Sequence, residues 1–394
     1  MKRRTPALAL AALALVLTPA GAGQAAAIPS PSTSKAPSAS KAPSPSAAPT
    51  PSATGTPSPK STPTPSDGTL QILTYRGYAE YGGTSPKVNW VGTFEKETGC
   101  RIARLDQVQN REEMEAQLGQ RSYDVISAGP DLAGELIAGK QVSPINEAKV
   151  PGYADLSEPL RELTTVGGKV YGVPFLWGAH EYLYDADRIK KPSLEQVFTS
   201  PKAALQDDPL TIADAALAWK TSGSPYELTA AELQRVMTTL EGQPGRTYWG
   251  SPVDVVKGFA TGRLDYAQAT PYLRLVLRAA GKPVKAIKTA RTTGWVDSWM
   301  LGAGGNQECA YRWLAWTASA KTQQAAASWN GLAPAGEKAC KDEARLVCAA
   351  YGAGKGAKLD GIEFAVRPPG DCRPPEGECT DYATWRKRWR ELVK

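Results

Sequence analysis

Residues 293–299 read Thr-Gly-Trp-Val-Asp-Ser-Trp, with indoles at Trp295 and Trp299 and a carboxylate between them at Asp297. Alternate side chains of an extended segment project to one face, so one strand would present an aromatic wall with an anion set into it. Ring faces and carboxylates both attract positive charge. The chemistry offered by this spacing is capture of an organic cation. A core strand with packed tryptophans produces the same spacing, so the surroundings must decide between the two.

Residues suited to nucleophilic or metal-assisted chemistry are sparse. His180 is the single histidine, and no Gly-x-Ser-x-Gly accompanies it, which leaves a Ser-His-Asp reaction without its usual frame. No Cys-x-x-Cys occurs, so neither a metal nor a cofactor is expected. Asp and Glu are plentiful, and paired carboxylates for glycoside hydrolysis stay open at this level. The six cysteines allow fifteen pairings. Cys340–Cys348 and Cys372–Cys379 are the near pairs, which would leave Cys100 and Cys309 to tie an early strand to a late helix. The alternative for any of them is a free thiol.

The elements that would position these groups begin late in the chain. Lys2, Arg3 and Arg4 precede an apolar run from Ala7 to Leu17 and the small residues Ala25-Ala26-Ala27. That run is too short to span a bilayer, and the pattern is a secretory signal over residues 1–27. No cysteine precedes Cys100, so a lipid-anchored variant of the signal is not expected, and disulfides suit the exported compartment. Residues 28–67 are almost entirely Pro, Ser, Thr and Ala, the composition of an extended, disordered spacer. Residues 1–67 hold six of the 46 Lys and Arg and one of the 39 Asp and Glu, which leaves 40 against 38 in the rest. The basic surplus thus belongs largely to the leader and spacer, and a nucleic-acid partner is not expected.

Beyond residue 67 the pattern alternates. Leu70–Tyr75, Cys100–Leu105 and Tyr123–Ser127 read as strands, with helices expected from Pro86 to Gly99, Arg111 to Leu118 and Pro130 to Gly139. This predicts βαβ units around a parallel sheet. Residues 167–187 are strand-rich, with Gly and Pro punctuation. Thr229-Ala-Ala-Glu232 is a capping box, and helices are expected over 253–259, 271–280, 309–316 and 322–329. A folded part of this length should divide into two lobes. The Trp385-Arg-Lys-Arg-Trp389-Arg run is most simply the end of an amphipathic helix.

Several of these stretches together carry a resemblance. They are Phe94-Glu-Lys-Glu-Thr-Gly-Cys-Arg-Ile102, Tyr123-Asp-Val-Ile-Ser127, Tyr171-Gly-Val-Pro174 leading to Trp177-Gly178, Ile212-Ala-Asp-Ala-Ala216, Gly294-Trp-Val-Asp-Ser-Trp299, Cys309-Ala-Tyr-Arg-Trp313 and Ala333-Pro334. In this order the chain resembles the extracellular solute-binding proteins of ABC transporters, of the spermidine/putrescine-binding type found in actinobacteria. The resemblance implies an α/β, type II periplasmic-binding-protein fold with two lobes and a ligand cleft. Lobe 1 would be 68–172 plus 295–338 and lobe 2 would be 173–294 plus 339–394, with crossings at Tyr171–Trp177 and Gly294–Trp299. It implies a monomer that captures a small, polyamine-like cationic amine and delivers it to an ABC permease and its ATPase.

Carried over residue by residue, the resemblance implies that Trp295 stacks on the ligand and Asp297 holds an amine, while Trp299 packs in lobe 1. Asp207 falls near the lobe-2 acid, with Asp208 beside it. Ser127, at the end of a strand whose following loop, with Asp131, meets the ligand, is a further candidate contact, and Trp177, at a crossing, either contacts the ligand or packs in the core at the hinge. The first loop, Arg76-Gly77-Tyr78-Ala79-Glu80-Tyr81, departs from the family's Asn-Trp-x-x-Tyr, so a stacking Trp has become Gly. A second family Trp is replaced around Thr270. Tyr78, Glu80 and Tyr81 are the contacts expected from this loop, with Tyr182 and Tyr272 as further substitutes for the missing rings and Arg76 opposing a second ammonium. Alternatives are a different small solute on the same fold, or a secreted thiaminase-like enzyme using a cleft thiol.

Overall fold

The computed structural model describes residues 68–394 apart from 84, 87, 221–222, 305–306, 355, 358 and 366–378. The signal and spacer expected over 1–67 lie outside the described residues. So does Cys372, and with it the expected Cys372–Cys379 bridge.

Local chemistry accounts for most element ends. Gly99 stops the helix Val91–Thr98 in the left-handed region at φ 74°. Pro130 stands in the first turn of the helix Pro130–Ala138. Thr229 and Glu232 form the full capping box at the start of Ala230–Leu240. The helix expected from Pro86 starts instead at Val91, after Trp90.

Two sheets result. The larger runs in the order Ala333–Pro334, Gly172–Ala179, Thr292–Gly302, Val125–Ala128, Thr69–Tyr75 and Arg101–Val108. Its last three strands are parallel, as the βαβ pattern predicts. Thr292–Gly302, however, is antiparallel to both neighbours, so the sheet is mixed. The smaller sheet runs Thr247–Trp249, Ala203–Gln206, Tyr266–Ala269, Glu181–Asp185, Val284–Ala286. Each sheet is covered on both faces by its own apolar clusters. This is an α/β periplasmic-binding-protein fold of two lobes.

The crossings are displaced from the expected ones. Gly172–Ala179 and Thr292–Gly302 pair with each other inside the larger sheet. The chain leaves that sheet only at His180, immediately before Glu181–Asp185 enters the smaller one, and returns through residues 287–291. Part of the stretch expected in lobe 2 from residue 339 also belongs elsewhere. Cys348, Tyr351, Leu359 and Phe364 pack against the core of the larger sheet, and Ile362–Phe364 pairs with Thr292–Gly294. Only beyond Phe364 does the chain reach the smaller lobe, where Tyr382, Trp385 and Trp389 of the C-terminal helix Tyr382–Val393 enter its core.

Cys100–Cys309 and Cys340–Cys348 are disulfides. The first joins residues 209 apart and ties the entry to the strand Arg101–Val108 to the helix Gln307–Ala318. A bridge of this reach stabilises by about 2–4 kcal/mol, in the chain-entropy account by restricting the unfolded chain. Among the described residues no cysteine is free.

Candidate functional site

A cleft of about 680 Å³ lies between the sheets and is walled by residues of both, including Trp295, Asp297, Asp131, His180 and Asp208. Its size suits a small organic molecule.

Asp297 is the centre of the larger lobe's wall. The pairing of its strand with Gly172–Ala179 slips by one residue between Asp297 and Ser298, which leaves Phe175 without a ladder partner. Such bulges re-aim side chains and are common beside functional sites. Phe175 fills the space under the site, edge-on to Tyr78 and to Trp299. Trp299 is fully buried, edge-on to Trp313 at 5.2 Å, and is core as expected.

The Asp297 carboxylate is 7 % exposed. It accepts a 2.5 Å hydrogen bond from the Tyr78 hydroxyl and another from the Trp295 indole N–H. Burial pushes its pKa up to about 6 against those two donors, with the Asp131 charge adding to the rise. Its Oδ1 lies beside Gly129, where a Cβ would stand 3.3 Å from it and 3.4 Å from Asp131 Oδ1.

Trp295 lies against Gly178, where a Cβ would sit 2.3 Å from the indole Cζ2, and its ring centroid is 5.1 Å from that of His180. Gly178→Ala should therefore displace the indole from the cleft wall. The expected result is about tenfold weaker ligand binding in calorimetry, the scale of one lost ring contact.

Opposite stands Asp208. It accepts from Leu210 N–H at 2.7 Å, and burial, followed by repulsion from Asp131, raises its pKa to about 7. Asp207, the expected lobe-2 acid, also lines the cleft but is exposed, and it accepts a 2.8 Å hydrogen bond from the Trp389 indole. The deeper acid is the neighbour. Adjacent residues after a strand point in different directions, and the fold here turns Asp208 inward.

At the crossing, His180 Nδ1 lies 2.8 Å from Thr293 Oγ1 and 2.9 Å from Asp214 Oδ1, and Nε2 lies 2.9 Å from Gln206 Oε1. Burial lowers its pKa, but Asp214 and the hydrogen bonds outweigh that and leave it raised. The single histidine thus lines the cleft beside a buried acid that favours its protonated form.

The other expected contacts disperse. Tyr78 reaches the cleft through Asp297. Tyr81 is 42 % exposed and bonds Glu95. Neither it nor Glu80 lines the cleft, and Arg76 is exposed outside it. Ser127 is buried against Thr74 Oγ1 at 2.7 Å. Trp177 is core, donating to Pro334 O and packed edge-on against Tyr351 and Phe364. Gly77, standing where a stacking Trp was expected, is required by its turn: φ is 91° and a Cβ would meet Asn330 Oδ1 at 2.3 Å. Tyr182 is buried against Asp214 and Tyr272 packs beside Gly331, so neither replaces the lost rings.

The aromatic walls come from elsewhere. Trp249, Tyr226 and, from the C-terminal helix, Tyr382 and Trp389 line the cleft. That helix also reaches the larger lobe. Tyr382 donates to Asp131 at 2.9 Å, and Arg386 and Arg390 pair with Glu115 and Glu112. Its Trp-x-x-x-Trp spacing is the signal for an inward face, as the amphipathic-helix reading expects, whereas the partners of its cations across the cleft are set by the fold.

Residues 89–344 match the family described as bacterial extracellular solute-binding proteins, and the chain belongs to that family. Its members of ABC importers bind a small ligand and work with a permease and an ATPase. Among solved structures, the spermidine/putrescine ABC transporter substrate-binding protein PotD of Streptococcus pneumoniae is similar, with a TM-score of 0.62 at 12 % identity over 82 % of this chain and 97 % of that one. MotA of A. tumefaciens B6, in complex with glucopine, has a TM-score of 0.59 at 16 % identity over 82 % and 99 %. A putrescine/agmatine-binding protein of Pseudomonas aeruginosa is 28 % identical over 102 residues, which are 25 % of this chain and 28 % of that protein's length. Among the described residues no helix is long and apolar enough to cross a membrane.

Proposed function

We propose that the chain is the exported, monomeric binding component of an ABC importer for a small, polyamine-like cationic amine. One observation carries this reading: Asp297, buried in the wall of one lobe, and Asp208, half-buried in that of the other, both line the cleft, and neither is ion-paired to a cation among the described residues. Burying uncompensated carboxylates is costly, and a cation lying between them removes that cost only when both lobes close on it. The half-buried Trp295 ring beside Asp297 suits the methylene chain of such a ligand. The Tyr78 hydroxyl bonds Asp297 Oδ2, so Oδ1 is the oxygen an ammonium would meet. Hinge closure around ligand is then the form a permease recognises. The local match to the Pseudomonas putrescine/agmatine-binding protein supports the same class.

A thermal-shift panel of putrescine, spermidine, agmatine, choline and basic amino acids tests this. A ligand at a hundred times its Kd should stabilise the protein by about 2.7 kcal/mol. Silence from every cationic amine, with a clear shift from a sugar or a carboxylate, would overturn the cation reading.

A further inference from the structure

The cleft holds more acids than a small ligand could neutralise, and the protein cancels most of them itself. Glu112 is paired by Arg390 at 3.4 Å. Asp214 is taken by His180. Asp207 is exposed and Asp254 half-buried, so water reaches both. Asp131 is the informative case, because its Oδ1 faces the same point beside Gly129 as Asp297 Oδ1. It would extend the anionic wall directly if it were unpaired.

Arg111 offsets this in part, although the Asp131 charge still raises the pKa of Asp297 and Asp208. Its guanidinium pairs with Asp131 and also holds Glu115 at 2.7 Å and Glu135 at 2.6 Å. Tyr382 packs over it at 5.1 Å and donates to Asp131. A cation at the first position of a helix opposes the macrodipole, and Arg111 opens the helix Arg111–Leu118. Its place is set by these carboxylates, not by the helix. Around it the rim carboxylates Asp131, Glu115, Glu135 and Glu112 are each paired to Arg111, Arg386 or Arg390. Asp297 and Asp208 are what remains.

We infer that the Arg111–Asp131 pair is a specificity element: it removes a third carboxylate from the ligand's reach and restricts the site to a dication bridging Asp297 and Asp208. This rests on the cation reading above and narrows it from polyamines in general to diamines.

The test is calorimetry of butylamine, putrescine and spermidine with the wild-type protein, Arg111→Met, Asp131→Asn and the double variant, each first shown to be folded by its melting curve. Wild type should bind putrescine ahead of both the monoamine and the triamine. Arg111→Met unmasks Asp131 and should move the spermidine-to-putrescine ratio toward spermidine by about tenfold, the effect of one added, partly buried charge pair. The double variant is neutral at this place and should restore the wild-type ratio. Asp131→Asn alone removes the carboxylate on the cleft side of Arg111, leaving the guanidinium to Glu115 and Glu135, and should weaken putrescine by about tenfold, which keeps the inference testable should Arg111→Met not fold. An unmoved ratio in folded Arg111→Met, an equal shift in the double variant, or unchanged putrescine binding in Asp131→Asn each overturns the inference alone. Wild-type protein that binds none of the three amines overturns the cation reading, and the inference with it.

Discussion

Binding of a diamine should weaken about a thousandfold between pH 8 and pH 5, with protons released on binding throughout that range. Unliganded Asp208 and Asp297 have pKa values raised to about 7 and about 6, in both cases chiefly by burial. An ammonium favours the ionised form, so the ligand must displace whatever protons the pair carries. At pH 5 this costs roughly a factor of a hundred at Asp208 and ten at Asp297, read as macroscopic steps of a coupled pair. Calorimetry in buffers of different ionisation enthalpy measures the proton count directly. A flat pH profile with no proton release would exclude these two carboxylates as the ligand's partners.

The same shifts have the opposite consequence for the empty protein. Both folded pKa values lie above the unfolded value near 4, so the folded state holds more protons between about pH 4 and 7. The stability this confers is complete below the unfolded pKa and is lost as the pH rises through the folded one. His180, also raised, acts with the same sign. Glu115, Glu232 and Asp381 have lowered pKa values and oppose this only as the pH falls below their ordinary range. The melting temperature of unliganded protein should thus rise on acidification from pH 8 to 5, while that of the diamine complex falls toward it.

Asp297→Asn should weaken a diamine by about 3 kcal/mol, or roughly 150-fold in Kd, the cost of removing one member of a buried charge pair. Stability should hold or rise slightly. Asn keeps the shape and can still accept from Tyr78, and the burial penalty that raised the acid's pKa disappears. Calorimetry and melting on one preparation separate the two effects. Equal affinity would remove Asp297 from the site, whereas a large drop in melting temperature would make its role structural.

The Trp295-x-Asp297 spacing, the capping box at Thr229 and the helix stop at Gly99 were all legible in the chain. Each depends on residues within a few positions of one another, where backbone geometry alone decides which side chains share a face. The βαβ order and the resemblance placed the fold, and the cysteine spacing offered the two bridges seen, Cys100–Cys309 and Cys340–Cys348. Glu80, Tyr81, Ser127 and Trp177 lie off the cleft wall, because a matching stretch records which strand a residue ends, not which way its side chain turns there. Tertiary packing made the remaining choices. It turned Asp208 inward while leaving Asp207 to Trp389, set His180 against Asp214 where the chain changes sheets, and brought Tyr382 and Arg386 over the cleft from some 270 residues beyond their partners on Arg111–Leu118. Charge is long-ranged only where water is excluded, and which carboxylates lose their water, and which find a cation, is decided by how the chain folds around the cleft. The spacing of Trp295 and Asp297 alone pointed to a cation. The proposal that this cation carries two charges rests on the fold, which sets Asp208 across the cleft from Asp297.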